Sequence, residues 1–278
     1  WSRGLGDVYK RQPLACTDND FLWSPTTAVS DPIAVTVALA KEFVSLGGKI
    51  VFNSKITFEK EILNHGQPVA CEHLINSAGA HAIELAKSMN FANKFRLMPF
   101  LGTYRQVPQS ALPISTLIYP VPHPINPFLG VHLTLTIDGM VKVGPTAIPI
   151  FGKEQYGIYS VFKPIDVLTF ARNVHSLAKG DKHKLSSIAF SEISNLFEKT
   201  VIKKVANLIP SASSVHHWKT KKPGIRSQLL NIKSGELVQD FVIEGDENST
   251  HILNAVSPGW TAAIPFGAYI ADLTLSKS

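Results

Sequence analysis

Apolar positions along this chain change period twice. Between Pro32 and Leu46 they recur at helical spacing, with Ile33, Val37, Ala40 and Val44 on one face. Asp31 or Ser30 can cap this helix. Pro32 stands in the first turn, where its missing N–H is harmless, and Gly47-Gly48 close the other end. Phe21–Ser30 reads as a strand and its exit. Lys49–Phe52, Lys55–Phe58 and Gln67–Ala70 read as short strands. His73–Ser77 predicts a buried strand ending at Ala78-Gly79-Ala80, followed by a helix over His81–Met89.

From Pro99 to Pro149 the period shortens to two. Gly102–Val107, Leu117–Tyr119, Gly130–Thr136 and Val141–Gly144 are β-prone runs separated by Pro and Gly, the pattern of an antiparallel sheet. Val131, Leu133 and Leu135 alternate with His132, Thr134 and Thr136, giving one apolar and one polar face. Helical spacing returns over Ile165–Ala178 and Ser186–Val205. Strands follow at Gly224–Leu230, Phe241–Glu244 and His251–Ala255, then a turn at Ser257–Gly259 and a last apolar helix over Thr261–Leu275. The order predicts an α/β fold with an α+β insertion, in two interleaved domains. The expected boundaries are 13–30, 31–95, 96–222 and 223–278.

Residues 1–12 are set apart from this reading. Asp7–Gln12 matches the translation of a sequencing-library adapter, so 1–12 is expected to be a non-native tail of a fragment recovered by metagenomic sequencing. The formal charge of +6 then loses three of 27 basic and one of 21 acidic residues, which leaves +4. That balance suits an anionic small molecule. The basic residues are scattered apart from Lys219, Lys221 and Lys222, which read as a solvated loop. No basic stripe interleaved with aromatics points to nucleic acid.

No apolar run reaches the roughly 20 residues of a membrane helix, and no secretory leader opens the chain. Cys16 and Cys71 are too few for a disulfide framework or a four-ligand zinc site, and both are expected in the core. His216-His217 are adjacent, the wrong spacing for one metal on a helix, so no metal is expected. A reducing compartment, the cytoplasm, fits, with peripheral membrane attachment left open.

Four segments in order carry a resemblance. They are Phe21–Pro32 leading into the helix and Gly47-Gly48-Lys49-Ile50; Leu74-Ile75-Asn76-Ser77-Ala78-Gly79-Ala80-His81; Ile118–Pro122 with Pro127–Thr134, Asp138-Gly139 and Val143–Ala147; and Pro223–Gln228 with Ser257-Pro258-Gly259-Trp260-Thr261. Together they resemble FAD-dependent oxidoreductases of the L-2-hydroxyglutarate oxidase/dehydrogenase type, within the D-amino-acid-oxidase-like superfamily. The likeness covers about residues 13–276. It implies an FAD-binding Rossmann-like domain (31–95 and 223–278) interleaved with a β-rich antiparallel substrate domain (96–222), with 13–30 as a strand and crossover.

Two departures stand out. The family's opening strand, G-x-G-x-x-G turn and helix, which hold the FAD pyrophosphate, have no counterpart here; Gly4-Leu5-Gly6 is followed by Tyr9 where the third glycine belongs. The first βαβ unit is therefore expected to be missing, and with it the catalytic base. Where the family carries an Arg-Gly pair ahead of a tyrosine, this chain has Leu101-Gly102-Thr103-Tyr104.

The resemblance assigns roles. FAD is the implied cofactor and a small anionic 2-hydroxy acid, L-2-hydroxyglutarate above all, the implied substrate. The electron acceptor is open among oxygen, a quinone and a carrier flavoprotein. Ser77, Ala78, Gly79, Ser257, Pro258, Gly259, Trp260 and Thr261 are the implied cofactor contacts. The competing readings are a plain strand-to-helix turn for Gly79 and core packing for Trp260. Arg226 is the implied carboxylate clamp, against a surface ion pair, because a planar guanidinium matches a carboxylate bidentately. His132 is a candidate for proton transfer or substrate binding, against a structural histidine. Tyr119 and Tyr104 are candidate substrate donors, against core aromatics. A glycine or sarcosine oxidase is the alternative within the superfamily. A non-catalytic fragment without cofactor is the alternative outside it.

Overall fold

The computed structural model describes residues 24–120, 130–157, 163–180 and 192–276. The fold is mixed α/β. In chain order it comprises α1 (Pro32–Ser45), β1 (Ile56–Phe58), β2 (Ile62–Asn64), β3 (Gln67–Pro68), β4 (Leu74–Asn76), α2 (Ala82–Ser88) and β5 (Phe95–Pro108). Then come β6 (His132–Leu135), β7 (Met140–Gly144), β8 (Ile148–Pro149), α3 (Pro164–Gly180) and α4 (Glu198–Ala206). The chain finishes with β9 (Lys219–Asn231), β10 (Glu236–Leu237), β11 (Val242–Gly245), β12 (Ser249–Asn254) and α5 (Ala263–Leu275). Single 3₁₀ turns lie at Gly79–His81, Glu192–Leu196 and Pro210–Ser214.

Contacts divide the chain into two compact units. The first holds residues 1–50, 101–149 and 187–224; the second holds 51–100, 150–186 and 225–278. In the first, β7 pairs antiparallel with both β6 and β5, placing Leu133 opposite Val143 and Val107 opposite Val141. The period-two pattern turns these residues to one face. There they close with Val201 and Val205 of α4, Leu112, Ile114 and Ile209 into a dry core. Each such side chain contributes about 1.5–3 kcal/mol when removed from water.

In the second unit β12 lies between β11, antiparallel, and β4, parallel, with Asn76 in register with His251. Ile83 and Ala86 of α2 pack on Leu253, Phe95 and Leu229 to form its core. β1, β2 and β3 form a small antiparallel meander.

Several sequence expectations need correction. Lys49–Phe52 is not a strand: no described strand pairs with it, and Phe52 is 80% exposed. An unpaired strand has nowhere to place its backbone hydrogen bonds. The described part of Phe21–Ser30, residues 24–30, is a turn and irregular chain; 21–23, like Cys16, Pro127, Phe128 and Leu129, lie outside the described residues. Leu117–Tyr119 supplies a single bridge, Ile118 with Leu133. Of Ser186–Val205, residues 186–191 lie outside the described residues, and the rest is broken: Phe197, in an extended conformation, separates a 3₁₀ turn from α4. Lys219–Lys222 is solvated as expected but opens β9 instead of forming a loop. Cys71 is exposed, on the irregular connection between β3 and β4.

α1 forms as predicted, with Asp31 Oδ1 accepting from the Ile33 N–H at 2.8 Å, yet none of its residues is buried.

Candidate functional site

The site is built around the end of β4. Asn76 is buried there, and its Nδ2 donates to the Ala82 carbonyl (2.8 Å) and lies 3.0 Å from His251 Nδ1. Its Oδ1 accepts from the Ala78 N–H at 3.3 Å. One side chain thus ties strand, turn and helix start together. The turn needs Gly79, whose φ is +56°, a conformation that costs other residues about 1–2 kcal/mol. A Cβ built on Gly79 would meet no atom within 4 Å, so its side faces open space.

That space is a cavity of about 770 Å³, lined entirely by the second unit. Ser77 and Gly79 bound it at β4, Arg226 and Ser227 at β9, and Ser257 and Gly259 at the turn before α5. Phe266, Gly267 and Ile270 of α5 and Lys153 and Tyr156 complete much of the lining. Gly259 is required by packing: a Cβ there would stand 2.8 Å from the Ala255 carbonyl oxygen. The Thr261 hydroxyl donates to the Pro258 carbonyl (3.1 Å), closing the turn. α5 starts without a side-chain cap, and the Ala262 and Ala263 N–H groups donate instead to the Pro258 and Trp260 carbonyls at 3.0 and 3.2 Å. Of the predicted cofactor contacts, Ser77, Gly79, Ser257 and Gly259 line the cavity. Ala78, Pro258, Trp260 and Thr261 belong to the same two turns, with Trp260 49% exposed.

Arg226 reaches this cavity from β9, half-buried. Its Nε donates to Gln228 Oε1 at 3.1 Å, and fully buried Gln228 donates in turn to the Val238 carbonyl. Residues two apart share a strand face, so Gln228 fixes the guanidinium from the core side.

The other predicted residues belong to the first unit. Tyr119 stacks on the His132 ring, centroids 4.2 Å apart. His132 Nδ1 donates to the Gly130 carbonyl (3.0 Å), an assignment that follows because a carbonyl only accepts, and Nε2 is left as the acceptor of a neutral ring. Burial pushes the His132 pKa below 6.5 and the Lys142 charge adds to this, against the Gly130 carbonyl, which favours the cation. Tyr104 offers its ring face to the Lys142 ammonium, 3.7 Å from the centroid. Burial, then Lys221, lowers the Lys142 pKa.

Sequence reasoning missed Lys153 and Tyr156 in the cavity lining and the Asn76–His251 contact. A lone lysine in the run Ala147–Tyr156, otherwise largely apolar, was the available signal for the first. Among the described residues no group of three or more His, Cys, Asp or Glu converges as metal ligands, and no helix is long and apolar enough to cross a membrane.

The family model for FAD dependent oxidoreductases (DAO) matches residues 6–273. The chain belongs to this family. Its cofactor is therefore FAD. The chain is 32% identical over 261 residues to L-2-hydroxyglutarate dehydrogenase of Escherichia coli K12, covering 90% of this chain and 60% of that protein. It thus spans about 60% of the length of the curated relatives it matches. The fold is similar to that of glycine oxidase from Bacillus cereus (TM-score 0.55, 12% identity, 88% of this chain and 56% of that one). It is also similar to that of L-alpha-glycerophosphate oxidase from Mycoplasma pneumoniae with FAD bound (TM-score 0.53, 19% identity, 84% and 53%). At these identities the two structures speak for the fold alone. The cavity suits the family's cofactor in chemical kind: a glycine turn with open space at Gly79, hydroxyls at Ser77 and Ser257, and the Arg226 side chain.

Proposed function

We propose that the whole protein oxidises a 2-hydroxy acid, L-2-hydroxyglutarate to 2-oxoglutarate, and that the cavity of the second unit serves both cofactor and substrate. The observation that carries this reading is Arg226, held by Gln228, in the same cavity as the Ser77–Gly79 and Ser257–Gly259 turns.

FAD, when bound, supplies the acceptor for the hydride leaving C2 of the substrate. Ser77, Ala78 and Gly79 would hold it along the β4 turn, and Ser257, Pro258, Gly259, Trp260 and Thr261 at the start of α5, where helix N–H groups favour negative charge. Arg226 binds and orients the substrate carboxylate through its planar fork, with Gln228 setting its tilt. Apolar lining from Ile252, Val256, Phe266 and Ile270 keeps water from the reacting carbon. His132, in the first unit, keeps its reading as a group for substrate binding or for help with proton transfer, since its ring is neutral with Nε2 as acceptor. Tyr119 holds the imidazole plane by stacking, and Tyr119 and Tyr104 are proposed substrate donors. The unpaired thiol of Cys71 and the absence of membrane-length helices among the described residues fit a place in the cytoplasm.

The test is anaerobic flavin reduction in the FAD-loaded full-length protein. L-2-hydroxyglutarate should bleach the flavin absorbance within seconds, and glycine and sarcosine should leave it unchanged. Bleaching by glycine or sarcosine and not by the hydroxy acid would replace this reading with the amino-acid oxidase alternative.

A further inference from the structure

Among the described residues, His251 is the one ionisable residue that is fully buried. It stands on β12 in register with Asn76 of β4, and the reading above gives it no part.

The hydrogen bonds around it can run in one direction only. Asn76 presents Nδ2 to the Ala82 carbonyl, which only accepts, and Oδ1 to the Ala78 N–H, which only donates. The second Nδ2 hydrogen therefore meets His251 Nδ1, 3.0 Å away, and Nδ1 is the bare acceptor. Nε2 then carries the ring proton and donates to Ser249 Oγ at 3.1 Å, and the Ser249 hydroxyl donates in turn to Asp246 Oδ1 at 2.8 Å. One chain joins the Asp246 turn to the Ser77–Gly79 turn beside the cavity.

Protonating Nδ1 breaks this chain at its centre, because the imidazolium sets a donor against the Asn76 donor. Turning the amide over gives no relief: Oδ1 would face the Ala82 carbonyl, and Nδ2 the Ala78 N–H. Either way buried polar groups lose their partners, and the turn loses the side chain that ties it to β4. The surroundings keep the ring neutral. Burial pushes the His251 pKa below 6.5; Asp246 and Glu244 oppose this, and His73 adds to it. Glu244 is the cross-strand partner on β11, itself engaged by Lys94 at 3.3 Å and by the Ala92 N–H. α2 turns Ala82, Ile83 and Ala86 inward, and none of them is charged.

We propose that His251 is a positioning residue for the cofactor turn: its neutral ring, accepting from Asn76 through Nδ1, holds Ser77–Gly79 in the form that meets FAD, and protonation of Nδ1 releases it. The proposal rests on the reading of that turn as an FAD contact.

The experiment is a flavin-fluorescence titration of the full-length protein with FAD from about pH 8 to about 5.5, beside the nitrogen chemical shifts of the His251 ring. FAD affinity should be full above 6.5 and fall on the order of tenfold as the ring protonates, the effect of one buried hydrogen bond. Protonation of the exposed His81, next to the same turn, would add positive charge and tighten anion binding in acid, the opposite sign. His251→Asn places an acceptor near the Nδ1 position that does not titrate, so its affinity should stay close to that of the wild type at pH 8 and remain flat. His251→Leu has no acceptor and should bind on the order of tenfold more weakly at both ends of the range. Wild-type affinity that does not fall in acid, an acid loss that persists in His251→Asn, or ring shifts that put the proton on Nδ1 at pH 8 would each overturn the proposal. If the variants do not fold, the wild-type titration and ring shifts decide alone. The reading of the turn as an FAD contact fails separately, if Gly79→Ala leaves FAD affinity unchanged at pH 8.

Discussion

The two units use their apolar residues differently. In the first, Leu133, Val141 and Val143 are fully buried on one face of β6 and β7, and polar groups are satisfied locally: Thr103 on Thr146, Arg105 on Glu198. In the second, much of the apolar surface of β4 and α5 stays open. Ile75 is 45% exposed and Ile264 69%, and of α5 only Ile270 is buried. A hydrophobic residue in a strand pattern therefore marks core at β6 and β7, whereas in the second unit Leu229 and Leu253 mark core and Ile75 marks the wall of a cavity. The same sequence signal has two meanings, decided by what packs opposite it.

The largest expected effect tests the first half of that contrast. Leu133→Ala should lower stability by about 2–5 kcal/mol in denaturant unfolding, through lost burial plus a cavity. A cost under about 1 kcal/mol would mean that this core is not as closed as its burial implies. Next comes Gly79→Ala, which forces a Cβ onto a left-handed residue and should cost about 1–2 kcal/mol. It should also weaken FAD binding in a flavin titration, because the new methyl points into open space beside the cavity. Unchanged FAD affinity would remove the Gly79 turn from the cofactor site.

The histidines give a smaller, pH-dependent effect that sharpens the comparison. Burial lowers the pKa of His132 in the first unit and of His251 in the second; nearby Asp246 and Glu244 oppose the shift at His251, and His73 adds to it. A folded pKa below the unfolded value means that the unfolded chain binds more protons in acid. Stability from both histidines is thus full above pH 6.5 and falls as pH drops from 6.5 through their folded pKa values. His251→Gln should flatten part of the decline seen in unfolding midpoints between pH 7 and about 5. A decline of identical slope would show that His251 carries none of it. The smallest effect belongs to Ile264→Ala, within about 0.5 kcal/mol in the same unfolding assay, since that side chain is mostly in water.

Much of the fold was legible where the signal is local. The helix at Pro32–Ser45 was readable from its spacing and its Asp31 cap, and β6 and β7 from alternation across Gly139. Pairing and burial are not local. Lys49–Phe52 has strand-forming residues but no partner, and Lys219–Lys222 has loop-like charges but opens a 13-residue strand. α1 shows the same limit, since its apolar face is periodic and yet unburied.

The cavity divides in a similar way. Gly79, Ser257, Gly259 and Arg226 sit in motifs with a recognisable order, and the structure brings them to one cavity. Lys153 belongs to no motif, and the Asn76–His251 contact joins residues 175 apart. Neither can be read from spacing.

The central claim is that this cavity clamps a carboxylate through Arg226. Steady-state kinetics of Arg226→Lys in the FAD-loaded full-length protein test it most directly. Charge survives the change but the planar fork does not, so kcat/KM should fall by roughly thirty- to a thousandfold, about 2–4 kcal/mol in transition-state binding, at full flavin content. Wild-type kcat/KM in that variant would contradict the account and return Arg226 to the role of an ordinary strand residue.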